Sequence, residues 1–137
     1  MTRENQILQL LKQSIEKLLL QEDVLRFAEI KNPWFTQQNI KIALEGWISS
    51  LEENQSKNWL ENYDFSQIAN NAEKKLGIIA AGNIPLVGLH DVLCGVLTRY
   101  TVWLKPSSDD ETLMKWVVEE WGGELDKNNI WKSIHIV

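Results

Sequence analysis

The sequence predicts an α/β protein in which a helical N-terminal region, residues 1–75, precedes a partial parallel sheet of βαβαβ order, residues 76–137. Three observations carry this prediction. Apolar residues recur at three- and four-residue steps through the first half. At Leu76 the pattern changes to a short continuous apolar run, Leu76-Gly77-Ile78-Ile79-Ala80-Ala81, bounded by Gly82 and Asn83. Beyond it, strand-like and helix-like segments alternate at lengths that suit crossovers between parallel strands.

The elements follow in order. Ile7, Leu8, Leu11, Ile15, Leu18 and Leu19 place an apolar stripe on a helix from Glu4 to about Leu20. Asn32-Pro33 breaks the pattern, because the residue before a proline is pushed out of the α region. Thr36 reads as the N-cap of a second helix that carries Ile40, Ala43, Leu44, Trp47, Ile48 and Leu51 and is closed by the polar patch from Glu52 to Lys57. Trp59, Leu60, Tyr63, Phe65 and Ile68 imply one or two shorter helical pieces up to Lys75. The run from Leu76 reads as a strand buried on both faces. Pro85 lacks an N–H that the first helical position does not need, so it opens a helix continuing from Leu86 to Thr98. Thr101 to Leu104 is the second strand. Asp109 and Asp110 favour the positive end of a helix that runs to about Trp121 and stops at Gly122-Gly123. Ile130 to Val137 is the third strand, and the order implies two right-handed βαβ units.

Composition narrows the function. A chain of 137 residues, 44% hydrophobic, buries one core and leaves no room for a second large domain. No apolar run reaches the roughly 20 residues of a membrane span, and the polar start MTRENQ lacks a secretory h-region, so a cytoplasmic protein is expected. The single cysteine, Cys94, excludes an internal disulfide, and with only two histidines no metal site is expected. A net charge of −5 disfavours nucleic acid as a partner, since sequence-independent binding needs a basic surface. Seven tryptophans are an excess that implies an aromatic core or apolar surface meant for a partner.

In an open parallel sheet, ligands gather at the carboxyl ends of the strands. Two loops lie there. Residues 80–91, AAGNIPLVGLHD, offer small residues that let a ligand approach the backbone, and Asn83 supplies an amide donor. Residues 104–110, LKPSSDD, place Lys105 beside Ser107 and Ser108, a set able to hold a phosphate or a ribose. Neither loop carries a G-x-G-x-x-G or a G-x-x-x-x-G-K-[ST] signature. On spacing alone, Lys105 also reads as a surface lysine and Asn83 as a helix cap.

The segments NPWFT at 32–36, AGNIPLVGLHD at 81–91 and LKPSS at 104–108, in this order and at this spacing, resemble the N-terminal part of the acyl-CoA reductases related to the luminescence fatty-acid reductase. That family belongs to the aldehyde dehydrogenase superfamily, so the resemblance implies a Rossmann-like, aldehyde dehydrogenase-like sheet. It also implies reduction of an acyl thioester such as acyl-CoA to a fatty aldehyde. The expected cofactor is NADPH, with NADH the alternative. The GNIP turn of residues 82–85 is similar to the superfamily's W-N-F-P turn, which puts Asn83 at the amide donor to the oxyanion of the thiohemiacetal. Ile79, Ala80, Ala81 and Gly82 fall where the family's backbone runs along the cofactor, and Lys105 where a lysine bonds the adenosine ribose or its 2′-phosphate. Many NAD-preferring members have a glutamate shortly beyond that lysine. Ser107 and Ser108 stand there instead and do not repel a 2′-phosphate, although Asp109 and Asp110 lie close by.

The resembled family takes its nucleophilic cysteine from the second half of the fold. Cys94, four residues after His90 and surrounded by Val92, Leu93, Val96 and Leu97, reads instead as a small core residue. His90 and Asp91 are sequence neighbours that face apart on a helix and make no acid–base pair. The expectation is therefore the N-terminal portion of an acyl-CoA reductase, inactive alone. The alternative is a stand-alone truncated homologue serving as a nucleotide-binding or oligomerising module without turnover. A three-stranded parallel sheet leaves an open edge and an uncovered apolar face, so a homo-oligomer is expected.

Overall fold

A computed structural model describes residues 1–137. Helices α1 (Arg3–Leu19), α2 (Glu22–Lys31), α3 (Gln37–Ser50) and α4 (Glu53–Leu60) and a short 3-10 turn at Phe65–Gln67 precede a βαβαβ unit. That unit comprises β1 (Lys75–Ile79), α5 (Leu89–Leu97), β2 (Thr101–Lys105), α6 (Glu111–Lys127) and β3 (Ile134–Ile136). The strands are parallel in the order β1-β2-β3, with Ile78 opposite Leu104 and Leu104 opposite Ile136. The α/β class and the helical-then-sheet order are those the sequence predicts.

Side chains alternate across the strands. Ile78, Val102 and Leu104 are buried, with Leu76, Ile134 and Ile136 half-buried on the same face. Helix α5 lies close on this face at Gly95, where a Cβ would come within 2.7 Å of Val102 Cγ2. Helix α6 joins the sheet region to α1: the Trp121 indole N–H donates to Ile7 O at 3.2 Å, and Lys17 pairs with Glu120 at 2.7 Å. The resulting apolar cluster is continuous from Ile7 in α1 to Leu125 in α6, so the helical region and the sheet share one core.

Several boundaries differ from the sequence reading. Helix α2 occupies a stretch in which the sequence marks no element, because only Leu25 and Ala28 of it are buried and two positions give no visible stripe. The polar patch at 52–57 does not merely close α3: it is the start of α4, whose exposed face is polar and whose buried residues are Ser56 and Leu60. Thr36 does cap α3, accepting from Asn39 N–H at 3.1 Å. Pro85 does not open α5, which begins at Leu89, because Leu86 adopts φ 61°, a left-handed conformation no helix can contain. Gly122-Gly123 do not stop α6. The buried series Val117, Val118, Trp121 and Leu125 carries the helix through them, and Asn129 at φ 57° ends it. β3 has three residues and does not fill the whole stretch 130–137. β1 is buried on one face only: Ile79 is 87% exposed, on the same open face as Trp103 and His135.

Candidate functional site

The loops that follow β1 and β2 meet at the carboxyl end of the sheet. Ala80 N–H donates to Lys105 O at 3.0 Å, prolonging the ladder by one residue. Gly82 then sits directly against Ser107, where any Cβ would overlap the serine side chain. A Cβ at Gly88 would likewise come within 2.6 Å of Ala80 Cβ. Small residues at 80, 82 and 88 are thus demanded by the packing of the loops themselves. Asn32 Nδ2 donates to Asp109 O at 3.1 Å and draws the NPWFT segment to the same place. The three segments singled out in the sequence, remote along the chain, form one neighbourhood.

Within it, Asn83 is exposed and its side-chain amide has no partner in the protein. It caps no helix, since Gly88 holds the N-cap position of α5. Lys105 is exposed at the end of β2, its Cα paired in register with Ile79. Ala81 and Ser108 are exposed, Gly82 and Ser107 half-buried, and Ser107 Oγ already accepts from Asp109 N–H at 3.2 Å. Ala80 is buried.

Beside this loop lies an apolar pocket of about 590 Å³ between α3, α4, the 84–87 turn and α5. Its walls include Trp47, Trp59, Ile84, Pro85, Leu86 and Leu93, and no acidic side chain, lysine or arginine lines it. The tryptophan excess in the sequence points only to core or interface groups. Trp121 is core, but Trp47 and Trp59 belong to the pocket, an assignment that requires α3 and α4 to be seen facing the 84–87 turn.

Asp110 is a second residue whose role sequence reasoning does not reveal. Only 2% exposed, it stands at the N-cap position of α6 and makes no side-chain bond to that helix. Its Oδ2 instead accepts from Leu86 N–H at 2.7 Å, while Oδ1 is buried without a partner. Burial pushes its carboxyl up to about 7, and the bond from Leu86 opposes that rise. From sequence, Asp110 reads only as an acidic residue that favours the positive end of the following helix.

Residues 4–137 match the model of the family described as acyl-CoA reductase (LuxC). The chain belongs to the acyl-CoA reductase family. No curated protein and no solved structure shows significant similarity to it. In an acyl-CoA reductase the cysteine draws immediate notice. Cys94 is half-buried on α5 with Sγ 3.6 Å from His90 Nε2, and His90 in turn lies against the Trp59 ring. Burial and the Asp91 carboxylate push the Cys94 thiol up, away from the thiolate that a nucleophile needs. No group of three or more His, Cys, Asp and Glu is placed to hold a metal ion. No helix is long and apolar enough to cross a membrane.

Proposed function

We propose that this chain receives the acyl thioester and the nicotinamide cofactor of an acyl-CoA reductase, with NADPH preferred over NADH. The observation that supports this most directly is the apolar pocket, whose wall includes Ile84, the residue after Asn83. A mostly apolar lining without carboxylate, lysine or arginine suits an aliphatic chain, each buried methylene of which contributes about 0.8 kcal/mol. With the chain in the pocket, the thioester carbonyl reaches the loop that carries Asn83. The unpartnered amide there is free to donate as charge develops on the carbonyl oxygen, an interaction of about 3 kcal/mol when preorganised.

The donor set at the strand ends also fits a nicotinamide cofactor, which when bound supplies the hydride. Lys105 offers an ammonium to a ribose hydroxyl or 2′-phosphate, with Ser107 and Ser108 beside it and no glutamate in the loop. The backbone of Ile79, Ala80, Ala81 and Gly82, at the end of the neighbouring strand, is proposed to run along the cofactor. Acyl transfer requires a thiolate that Cys94 does not provide, so this chain is proposed to bind without turning over on its own. A second reading, a self-associating module without turnover, is favoured by the uncovered sheet face with Ile79, Trp103 and His135.

Calorimetric titration tests the assignments. Decanoyl-CoA is expected to bind the wild type and to lose at least tenfold in affinity for Ala43→Phe, which fills the pocket. Lys105→Ala is expected to weaken NADPH more than NADH. Undiminished decanoyl-CoA binding by the filled variant refutes the pocket, and unchanged NADPH affinity refutes the role of Lys105.

A further inference from the structure

We infer that Asp110 is a positioning residue that latches the loop carrying Asn83 to the loop carrying Lys105, through the hydrogen bond its carboxylate accepts from Leu86 N–H. An aspartate at an N-cap position ordinarily accepts from the second or third amide of its own helix. Asp110 has forgone that bond and reaches across to a residue 24 positions earlier, in a different loop. The partner is equally specific. Leu86 is fully buried and held at φ 61°, a conformation that costs a branched, Cβ-bearing residue energy and persists only where surroundings over-determine it. Its side chain forms part of the pocket wall, and its amide, turned toward Asp110 by that φ, has the carboxylate as its acceptor.

The latch therefore fixes three things together: the turn at 83–88, the pocket wall at Leu86, and the separation of Asn83 from the β2 end. Gly82 packed on Ser107 provides a second contact between the same loops, and Gly88 packed on Ala80 seats the far end of the turn, so the bond at Leu86 is what ties the middle of the turn to the β2 loop. Without an acceptor at 110, the buried Leu86 N–H is left unpaired, and the turn gains by rotating Leu86 out of the left-handed region. Asn83, three residues away and tied to nothing else, moves with it. The value of this placement to an oxyanion rests on the proposed acyl-CoA reductase reading, whereas the latch itself does not.

Amide hydrogen exchange and the NMR resonances of Leu86 N–H and the Asn83 side-chain amide test it in wild type, Asp110→Ala and Asp110→Asn. The alanine variant should lose at least tenfold in Leu86 protection and shift or broaden the Asn83 side-chain pair. The asparagine variant, which keeps an acceptor oxygen, should restore both. A change confined to α6 stability would not move the exposed Asn83 amide, so rescue at Asn83 separates positioning from capping. Unaltered Asn83 resonances in Asp110→Ala overturn the inference, as does failure of Asp110→Asn to restore them. Should the alanine variant unfold, Asp110→Leu, which fills the site with apolar atoms and offers no acceptor, reads out the same loss. Decanoyl-CoA titration of the same proteins keeps the two readings apart: absence of binding by the wild type refutes the acyl pocket, while the Asn83 resonances still decide the role of Asp110.

Discussion

Asp110 illustrates how one side chain can serve placement at the expense of stability. A buried carboxylate with a single hydrogen bond is disfavoured in its charged form, and its carboxyl stands at about 7 against an ordinary 3.8. Between those values the folded chain keeps a proton that the unfolded chain has released. The stability this proton contributes is fully present below 3.8 and is lost as pH rises through about 7. Asp110→Asn keeps the acceptor and has no proton to lose. Relative to wild type it should gain about 1–3 kcal/mol between pH 5 and pH 8, several degrees in melting temperature for a domain of this size. Thermal melts of both proteins at the two pH values check this, and a constant difference would show that Asp110 ionises like a surface acid.

Helix α6 shows what a sequence pattern conveys about an element and what it conceals. Both of its central glycines lie in ordinary helical backbone; a methyl group added at Gly123 would meet nothing within 4 Å, and one at Gly122 only Ile134 Cδ1 at 3.9 Å. Alanine fits at each, and each glycine costs the helix up to about 1 kcal/mol. Gly122→Ala/Gly123→Ala should therefore raise stability by about 1–2 kcal/mol, read as a higher urea midpoint at unchanged slope. Gly95→Ala on α5 should do the reverse, because its Cβ meets Val102 on the sheet at 2.7 Å. From sequence, Gly122-Gly123 looks like a stop, and nothing there separates these glycines from Gly95, since the difference lies in packing that periodicity cannot express. Where periodicity is strong, as in α1 with Ile7, Leu11, Ile15 and Leu18, the element is legible. The α/β order and the two strand-end loops are legible for the same reason. The pocket is not, because it joins α3 and α4 to a turn more than thirty residues beyond Trp47 and exists only in three dimensions. Asp110 is not, because its partner at Leu86 depends on a left-handed residue that no local signal announces.

At the scale of the molecule, the helices cover one face of a parallel sheet and leave the other open, with Ile79 at 87% and Trp103 at 38% exposure. Parallel sheets are ordinarily covered on both faces, because their strands carry apolar residues on each side. The open face here is partly shielded by its own side chains. Trp103 stacks on His135 with ring centroids 4.7 Å apart, and Lys75 Nζ lies 5.3 Å from the Trp103 ring. These contacts lower the cost of exposure without removing Ile79 or the tryptophan face from water. If a second copy provides the cover, association is driven by apolar area and should persist at high salt, where attraction between surface charges is screened. Sedimentation of the chain at micromolar to tens-of-micromolar concentration should then show concentration-dependent dimers in both low and high salt. Trp103→Thr, which retains a strand-forming residue and removes the aromatic surface, should weaken the dimer at least tenfold while leaving the melting profile of the dilute protein nearly unchanged. A monomer at all concentrations, or a dimer indifferent to Trp103→Thr, would assign the open face to something other than a second copy of this chain.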